Sequence, residues 1–320
     1  MSSMQAAVFC GDGRVELRAA PMPRPKSREL CVRLEGCGVC ASNLPVWSGR
    51  PWFAYPLAPG APGHEGWGEV VAIGDDVGDY AVGDRVAMLS GNAYAEYDVA
   101  PVDGVVRLPQ TLWGLPLPAE PLACAMNIFR RSDIQAGQTV AIVGLGFLGI
   151  LLLQLARHAG AEVVALTRRP FALEMASAYG AKHAIKTDDT NKAIQTALEI
   201  SGGRGFPRVI EAAGEQSTLD IASALTAEGG RLVIAGYHQS GPRSVDMQQW
   251  NWRGLDVINA HERDPAVCAR GLREAVDAVI DGRLHPFTLL THNYDLGDIG
   301  AAFRTLDERP EGFFKATILM

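Results

Sequence analysis

The stretch QTVAIVGLGFLGILLLQLARHAG, Gln138–Gly160, decides the fold of the central part of this chain. It starts as an apolar strand, passes through a G-x-G-x-x-G turn and continues as an apolar helix that ends in glycine. In that context the glycines let the backbone approach a pyrophosphate, and the helix N-terminus supplies N–H donors. A tight turn without a ligand is the alternative. The residues predicted to contact a dinucleotide here are Gly144, Gly146, Phe147, Leu148 and Gly149.

The segments that follow repeat this alternation of strand and helix. AEVVALT reads as a strand and PFALEMASAYGA as a helix, and RVIEAAG, RLVIAG and DVINA are further strands separated by helical segments. Strand, helix, strand at this spacing predicts a doubly wound parallel sheet of the Rossmann type.

The two ends of the chain have a different character. The first third has short β-like runs such as AAVFC, ELCVRLEG and EVVAIG between turn signals, and the tail combines an amphipathic helix with a closing strand, GFFKATILM. This order suggests that the tail folds back onto the β-rich head. The predicted boundaries are 1–118, 119–261 and 262–320, with the middle segment as the nucleotide-binding domain.

The end of the second strand of the nucleotide-binding domain bears on the choice of cofactor. A carboxylate at this position binds the ribose 2′-hydroxyl of NAD. Here Thr167 stands in its place, and Arg168 and Arg169 follow. Guanidinium groups bind phosphate well, so we predict that NADP is preferred over NAD. Two solvated surface arginines are the alternative.

Charge and composition exclude several classes of protein. The formal net charge is −7 with no basic block, so a nucleic-acid partner is not expected. No apolar run is long enough to cross a bilayer, and the N-terminus lacks the pattern of a signal peptide. Six cysteines in 320 residues are too few for a disulfide scaffold, so we expect a cytoplasmic protein without a membrane partner.

The stretch GHEGWGEVVAIGDDV, 63–77, matches the signature G-H-E-x-x-G-x5-G-x2-V. With GVCASN before it and GLGFLG after it, the chain resembles the zinc-dependent medium-chain dehydrogenases/reductases nearly from end to end. The resemblance implies an α/β fold in which a GroES-like β-rich catalytic domain is split by a Rossmann domain. It also implies an alcohol or polyol dehydrogenase of the sorbitol, threonine and glucose dehydrogenase branch.

The resemblance implies roles for individual residues around one catalytic zinc ion. Cys40 is the thiolate ligand, His64 the imidazole ligand and Glu65 an adjacent acid that serves as an alternate ligand. Glu120, in an EPL motif, is a ligand or near-ligand, and whether it or Glu65 is the third ligand stays open. Ser42 is expected to bind the substrate oxygen and pass on its proton. Three ligands and one open position are typical of a catalytic zinc.

The pair Cys37 and Cys40 has two other interpretations. A closed four-cysteine zinc site needs a second C-x-x-C, which the chain lacks. A redox dithiol is expected at the start of a helix in a thioredoxin-like context, whereas this segment is β-rich. We therefore interpret Cys40 as a ligand and Cys37 as buried, and Cys124, one helical turn after Glu120, as a core residue.

The chain departs from the family pattern at several points. The four-cysteine lobe that binds a structural zinc in many relatives is absent, so we expect one zinc ion and no structural site. Asn43 replaces the usual aspartate, and we expect it to accept a hydrogen bond from the ligand histidine. Pro45 stands where many relatives carry a proton-relay histidine, which leaves the route of the proton to solvent open.

Further residues are candidates for substrate and cofactor contacts. His261 follows the last Rossmann strand, and Arg263 matches an arginine that contacts a polyol in the sorbitol dehydrogenase branch; an interdomain salt-bridge cluster is the alternative. Trp47 is a candidate for the pocket wall, or else a core aromatic residue. Lys315 matches a basic residue that reaches the cofactor phosphates in relatives, or else is a surface lysine.

Together these features predict a zinc-dependent oxidoreductase that transfers a hydride between NADP and an alcohol, with a polyol, sugar or cyclitol favoured as substrate. The physiological direction stays open. The alternatives are a zinc-free enone or quinone reductase of the same superfamily and a non-enzymatic NADPH-binding protein. A homodimer or homotetramer is expected, joined through the edge strand near DVINA.

Overall fold

The computed structural model describes residues 3–320. Over these residues the chain folds as two compact units. The first contains the residues up to Ala123 together with Asp264–Ile280 and Pro286–Met320, and the second contains Cys124–Arg263 and Asp281–His285. The predicted boundaries differ from these at the helix Ala119–Ser132, which is divided between the units, and at 262–263 and 281–285, which belong to the second unit.

Strands and helices are numbered here in chain order. The strands are β1 (Ser3–Gly11), β2 (Arg14–Pro21), β3 (Glu29–Val39), β4 (Gly66–Ile73), β5 (Arg85–Met88), β6 (Tyr97–Pro101), β7 (Val105–Arg107), β8 (Thr139–Val143), β9 (Glu162–Thr167), β10 (His183–Lys186), β11 (Phe206–Glu211), β12 (Thr226–Ile234), β13 (Asp256–Asn259), β14 (Leu290–Asp295) and β15 (Lys315–Leu319). The helices are α1 (Leu44–Trp47), α2 (Ala119–Ser132), α3 (Phe147–His158), α4 (Pro170–Ala178), α5 (Thr190–Ile200), α6 (Gln216–Leu225), α7 (Met247–Arg253), α8 (Pro265–Ile280) and α9 (Ile299–Glu308). None of these helices combines the length and the apolar character needed to cross a membrane.

The first unit is built on a largely antiparallel sheet. Its order is β14-β15-β3-β4-β5-β7, with β6 also paired to β3, while β1 and β2 form a separate hairpin. The closing strand β15 lies antiparallel to β3, with Ala316 opposite Val39, so the tail does fold back onto the head. Helix α9 places Ile299, Ala302 and Phe303 on one stripe in the core, because residues three and four apart share a helix face.

The second unit is a parallel sheet with the order β10-β9-β8-β11-β12-β13 among the described strands. The central strands β8 and β9 are buried from their second residue onward and are largely apolar, as expected for parallel strands covered on both faces. Strand β13 lies at one edge. The predicted fold class, α/β with a β-rich domain and a doubly wound parallel sheet, is confirmed.

Candidate active site

A cluster of three potential metal ligands lies at one end of the β3–β4 pair. Cys40 follows directly after β3, and His64 and Glu65 directly precede β4. Because Cys37 near the end of β3 pairs with Gly66 at the start of β4, the two ends lie side by side. The ligand atoms of Cys40, His64 and Glu65 all lie within 4.8 Å of one another.

The donor set of this cluster fits a zinc ion. Thiolate sulfur, imidazole nitrogen and carboxylate oxygen are the ligand types that zinc takes in proteins. His64 Nδ1 lies 3.0 Å from the Pro62 carbonyl oxygen. A carbonyl oxygen only accepts hydrogen bonds, so Nδ1 is the donor and Nε2 is the nitrogen left for a metal.

The charge around His64 also favours a bound cation. Burial acts to lower the pKa of the imidazole, but the hydrogen bond and charge of Cys40, with the carboxylates of Glu120 and Glu65, raise it to about 10. The surrounding negative charge therefore holds a positive charge at this position even against the desolvation that burial imposes.

Lys315 contacts Glu65 inside the first unit. Its ammonium lies 2.6 Å from the carboxylate, and both residues are buried, with exposures of 5% and 0%. Burial acts to lower the pKa of Lys315, but the charge of Glu65 leaves it raised. Lys315 is therefore not the surface lysine of the alternative, because its side chain enters the interior from β15 and its charge is held by Glu65. Its contact with the cofactor phosphates stays a prediction.

Glu120 lies at the start of α2, outside the group of three ligand atoms found among residues 3–320. Its negative charge nevertheless raises the pKa of both His64 and Lys315. Of the two candidates for a third ligand, the structure thus brings Glu65 together with Cys40 and His64 and keeps Glu120 as a nearby charge.

Three residues near the ligands, Ser42, Cys37 and Cys124, differ in their hydrogen bonds and in their burial. The hydroxyl of Ser42 donates a hydrogen bond to Cys40 Sγ at 3.1 Å. Cys37 is fully buried, its Sγ donates to the Gly38 carbonyl at 3.4 Å, and burial raises its pKa well above the usual value. Cys124, predicted as a core residue, is exposed because it lies on the outward side of α2.

Asn43 differs from its predicted role. We expected its side chain to accept a hydrogen bond from the ligand histidine, but His64 donates to Pro62 instead. The amide of Asn43 donates to the same Pro62 carbonyl and to the Tyr94 hydroxyl, each at 3.2 Å. Sequence reasoning missed Tyr94, since no local pattern marks a tyrosine that reaches a site across 51 positions of sequence.

The glycine turn of the second unit has the geometry of a nucleotide cradle. Gly144 has φ +99°, a conformation that favours glycine, and a side chain on Gly149 would clash with the carbonyl of Gly144. A side chain on Gly146 would enter open space at the start of α3, where Phe147 and Leu148 form the first turn. The open N-terminus of a 12-residue helix is suited to a pyrophosphate.

The residues predicted to determine the preference for NADP over NAD lie at and just after the end of β9. Thr167 is the last residue of β9 and is buried, and its Oγ1 accepts a hydrogen bond from the Arg169 N–H at 3.4 Å. Arg168 is exposed, and Arg169 occupies the N-cap position of α4. Two arginines therefore follow the strand end at which the ribose is expected to bind.

The predicted substrate residues lie in different surroundings. Trp47 stacks on Phe303 at 6.1 Å and packs against the core of the first unit, because the short helix α1 turns its ring inward. His261 Nε2 lies 3.2 Å from the Gly236 carbonyl, and its ring meets Tyr237 edge-on. Arg263 is exposed. Trp47 thus matches the alternative of a core aromatic residue.

Comparison with known proteins identifies the family. The model of the alcohol dehydrogenase GroES-like domain matches residues 26–110, and that of the zinc-binding dehydrogenases matches 148–280. An alcohol dehydrogenase from Geobacillus stearothermophilus is 30% identical, with the alignment covering 92% of each chain. The chain belongs to the zinc-type medium-chain dehydrogenase family.

Other relatives of this medium-chain dehydrogenase agree with that assignment. A sorbitol dehydrogenase from Bacillus subtilis (strain 168) is 27% identical over 73% of this chain and 75% of its own length. A zinc-binding dehydrogenase from Sinorhizobium meliloti 1021, crystallised with NADP, has a TM-score of 0.86 and 27% identity and covers 100% of both chains. The protein is an oxidoreductase, and the prediction of an enzyme is confirmed.

Proposed function

We propose that this medium-chain dehydrogenase transfers a hydride between the carbinol carbon of an alcohol and a nicotinamide dinucleotide, with one catalytic zinc ion held by Cys40, His64 and Glu65. The observation that carries the proposal is the cluster of sulfur, nitrogen and oxygen ligand atoms within 4.8 Å of one another. This donor set has three protein ligands, which leaves one coordination position for a substrate oxygen.

Different residues of the chain are proposed to transfer the proton and to bind the cofactor. When bound, zinc acts as a Lewis acid that makes the alcohol hydroxyl more acidic. Ser42, whose hydroxyl lies 3.1 Å from Cys40 Sγ, takes the substrate proton. Pro45 has no group that transfers a proton, so we propose that the proton passes from Ser42 to water. The glycine turn of the second unit holds the cofactor, which accepts or returns the hydride.

We propose NADP as the preferred cofactor. Arg168 and Arg169 offer the 2′-phosphate charge-assisted hydrogen bonds, and Thr167 brings no negative charge that would repel it. The relative from Sinorhizobium meliloti was crystallised with NADP, which is consistent with this choice.

A polyhydroxy compound is the proposed substrate class. The Bacillus subtilis relative is named a sorbitol dehydrogenase, and the EPL motif around Glu120 resembles that of the polyol, threonine and glucose dehydrogenase branch. Arg263 is exposed and retains its predicted role as a polyol contact.

One experiment tests reaction, cofactor and substrate class together. Purified protein loaded with zinc is incubated with NADP or NAD and with polyols, aldoses, cyclitols or simple alcohols, and formation of the reduced cofactor is followed by absorbance. Turnover of a polyhydroxy substrate with NADP is the expected result. Turnover of short alcohols alone would overturn the polyol class, and turnover without zinc would favour a zinc-free reductase.

We also propose a homodimer joined through β13, or a homotetramer built from such dimers. Strand β13 lies at the edge of the described parallel sheet, and the neighbouring Trp252 is 88% exposed. An unpaired strand edge is a template for pairing with a second copy. Light scattering coupled to size-exclusion chromatography is expected to give at least twice the monomer mass, and a monomer would contradict the proposal.

A further inference from the structure

The connection 89–96 between β5 and β6 is bound to the segment that carries His64. The Ala93 N–H donates to the Gly63 carbonyl at 2.9 Å, and the Tyr94 N–H donates to the Gly60 carbonyl at 3.0 Å. A Cβ on Gly63 would lie only 2.4 Å from the Tyr94 nitrogen, too close for a real contact, so the two segments are in close contact. The connection 89–96 therefore helps to hold in place the segment 60–65, called here the ligand segment because it carries His64 and Glu65.

The side chain of Tyr94 reaches from this connection into the core of the first unit. Its side chain is fully buried, and its ring packs against Phe9 and Phe303 with centroids 5.9 Å away in each case. The hydroxyl donates to the Gly38 carbonyl at 3.2 Å. Burial raises the pKa of this phenol well above its usual value, so the group is a neutral donor at physiological pH.

Asn43 links Tyr94 to the ligand segment. Its Nδ2 donates to the Tyr94 hydroxyl oxygen and to the Pro62 carbonyl, each at 3.2 Å, and the side chain is only 4% exposed. The Pro62 carbonyl also accepts the hydrogen bond from His64 Nδ1 at 3.0 Å. The two lone pairs of that oxygen are thus matched by two donors.

The hydrogen bonds from Gly38 through Tyr94 and Asn43 to Pro62 form a series, and the groups at its two ends determine the direction of each bond. The carbonyls of Gly38 and Pro62 can only accept. Tyr94 must therefore donate to Gly38 and accept from Asn43, and the amide nitrogen of Asn43 must face Pro62. The amide supplies two donor bonds that no carboxylate can replace.

We propose that Asn43 and Tyr94 are positioning residues of the metal site, which act on His64 through the carbonyl of Pro62. The inference rests on the proposed function, because it assumes that His64 binds zinc. By holding the Pro62 oxygen in place, the two side chains fix the Nδ1–H tautomer and the ring orientation of His64, and thereby direct Nε2 at the metal.

An aspartate, the residue of the family pattern at position 43, would disturb these contacts. An aspartate there would place a carboxylate against the Pro62 oxygen and leave Tyr94 without its donor. N43D would therefore weaken the site in this chain, although it restores the residue typical of the family.

The test compares zinc affinity in the full-length protein for wild type, Y94F, N43D and Y80F. Tyr80 is the matched control, since its hydroxyl also donates to a backbone carbonyl, that of Val105 at 2.8 Å, within the same unit. Each protein is stripped of metal, its zinc dissociation constant is measured by competition with a chromophoric chelator, and the visible spectrum of its cobalt form is recorded. Melting of the metal-free proteins shows that each one folds.

For Y94F and N43D we expect a zinc dissociation constant roughly 10- to 100-fold higher, as found when outer hydrogen-bond partners of metal ligands are removed, and a shifted cobalt spectrum. Y80F is expected to bind both metals as wild type does. Unchanged affinity and spectra in Y94F and N43D, or tighter binding by N43D, would overturn the inference. If Y94F does not fold, N43D decides alone. Wild-type protein that binds no zinc would instead overturn the proposed function.

Discussion

The ammonium of Lys315 lies 2.6 Å from the carboxylate of Glu65, and the two residues are 250 positions apart in the sequence. Both side chains are buried, so neither charge is compensated by water. Glu65 is also one of the three clustered ligand residues. Lys315 therefore holds the charge of a potential ligand in the interior of the protein.

We expect K315M to destabilise the metal-free protein, because it leaves the buried Glu65 carboxylate without its partner. Breaking a buried ion pair from one side costs about 3–5 kcal/mol. Urea denaturation checks this, with K182M as control, since Lys182 pairs with Glu162 at the surface and its loss should have little effect. Equal unfolding midpoints for K315M and wild type would show that the pair does not stabilise the fold.

Substitution of Cys37 and Cys40 should show which of the two cysteines binds zinc and which is only a core residue. C40S is expected to lower bound zinc well below one ion per chain and to abolish turnover, because serine is a poor replacement for a thiolate ligand. C37S should leave the metal content intact, since Cys37 is fully buried and its thiol donates to the Gly38 carbonyl. Metal analysis by mass spectrometry checks both, and full zinc occupancy in C40S would remove Cys40 from the ligand set.

The glycine turn offers a matched pair of substitutions. In G149A the methyl group meets the carbonyl oxygen of Gly144, so we expect a lower melting temperature. In G146A the methyl group enters open space, so the melting temperature should not change. If this space holds the pyrophosphate, G146A weakens NADPH binding by on the order of tenfold, or ~1.4 kcal/mol. Wild-type affinity in G146A, measured by fluorescence titration, would contradict this use of the turn.

Cofactor choice is tested by T167D. The Thr167 side chain accepts a hydrogen bond from the Arg169 N–H, and an aspartate can accept the same bond, so the turn should be preserved. The new carboxylate would repel a 2′-phosphate and bind the ribose hydroxyl of NAD. We expect the ratio of kcat/KM for NADP to that for NAD to fall by about tenfold or more, ~1.4 kcal/mol. An unchanged ratio would mean that the ribose does not bind at this strand end.

Local sequence alone was sufficient for the parts of the protein in which neighbours along the chain make the contacts. The glycine turn at 144–149 joins β8 directly to α3, and a run of apolar residues identified each buried strand of the parallel sheet. The GHE motif likewise places His64 and Glu65 side by side in the chain. These features depend on backbone sterics and on periodicity, which a short stretch of sequence fully specifies.

Tertiary structure decided which side chains meet across the first unit. The pairing of β15 with β3 carries Lys315 to Glu65, and the connection before β6 brings Tyr94 to Asn43. No local pattern marked Tyr94, and the resemblance that singled out Lys315 pointed to the cofactor phosphates rather than to Glu65. Strand register and core packing set these contacts, because the free energy that brings two distant side chains together comes from burial of the whole unit rather than from either residue.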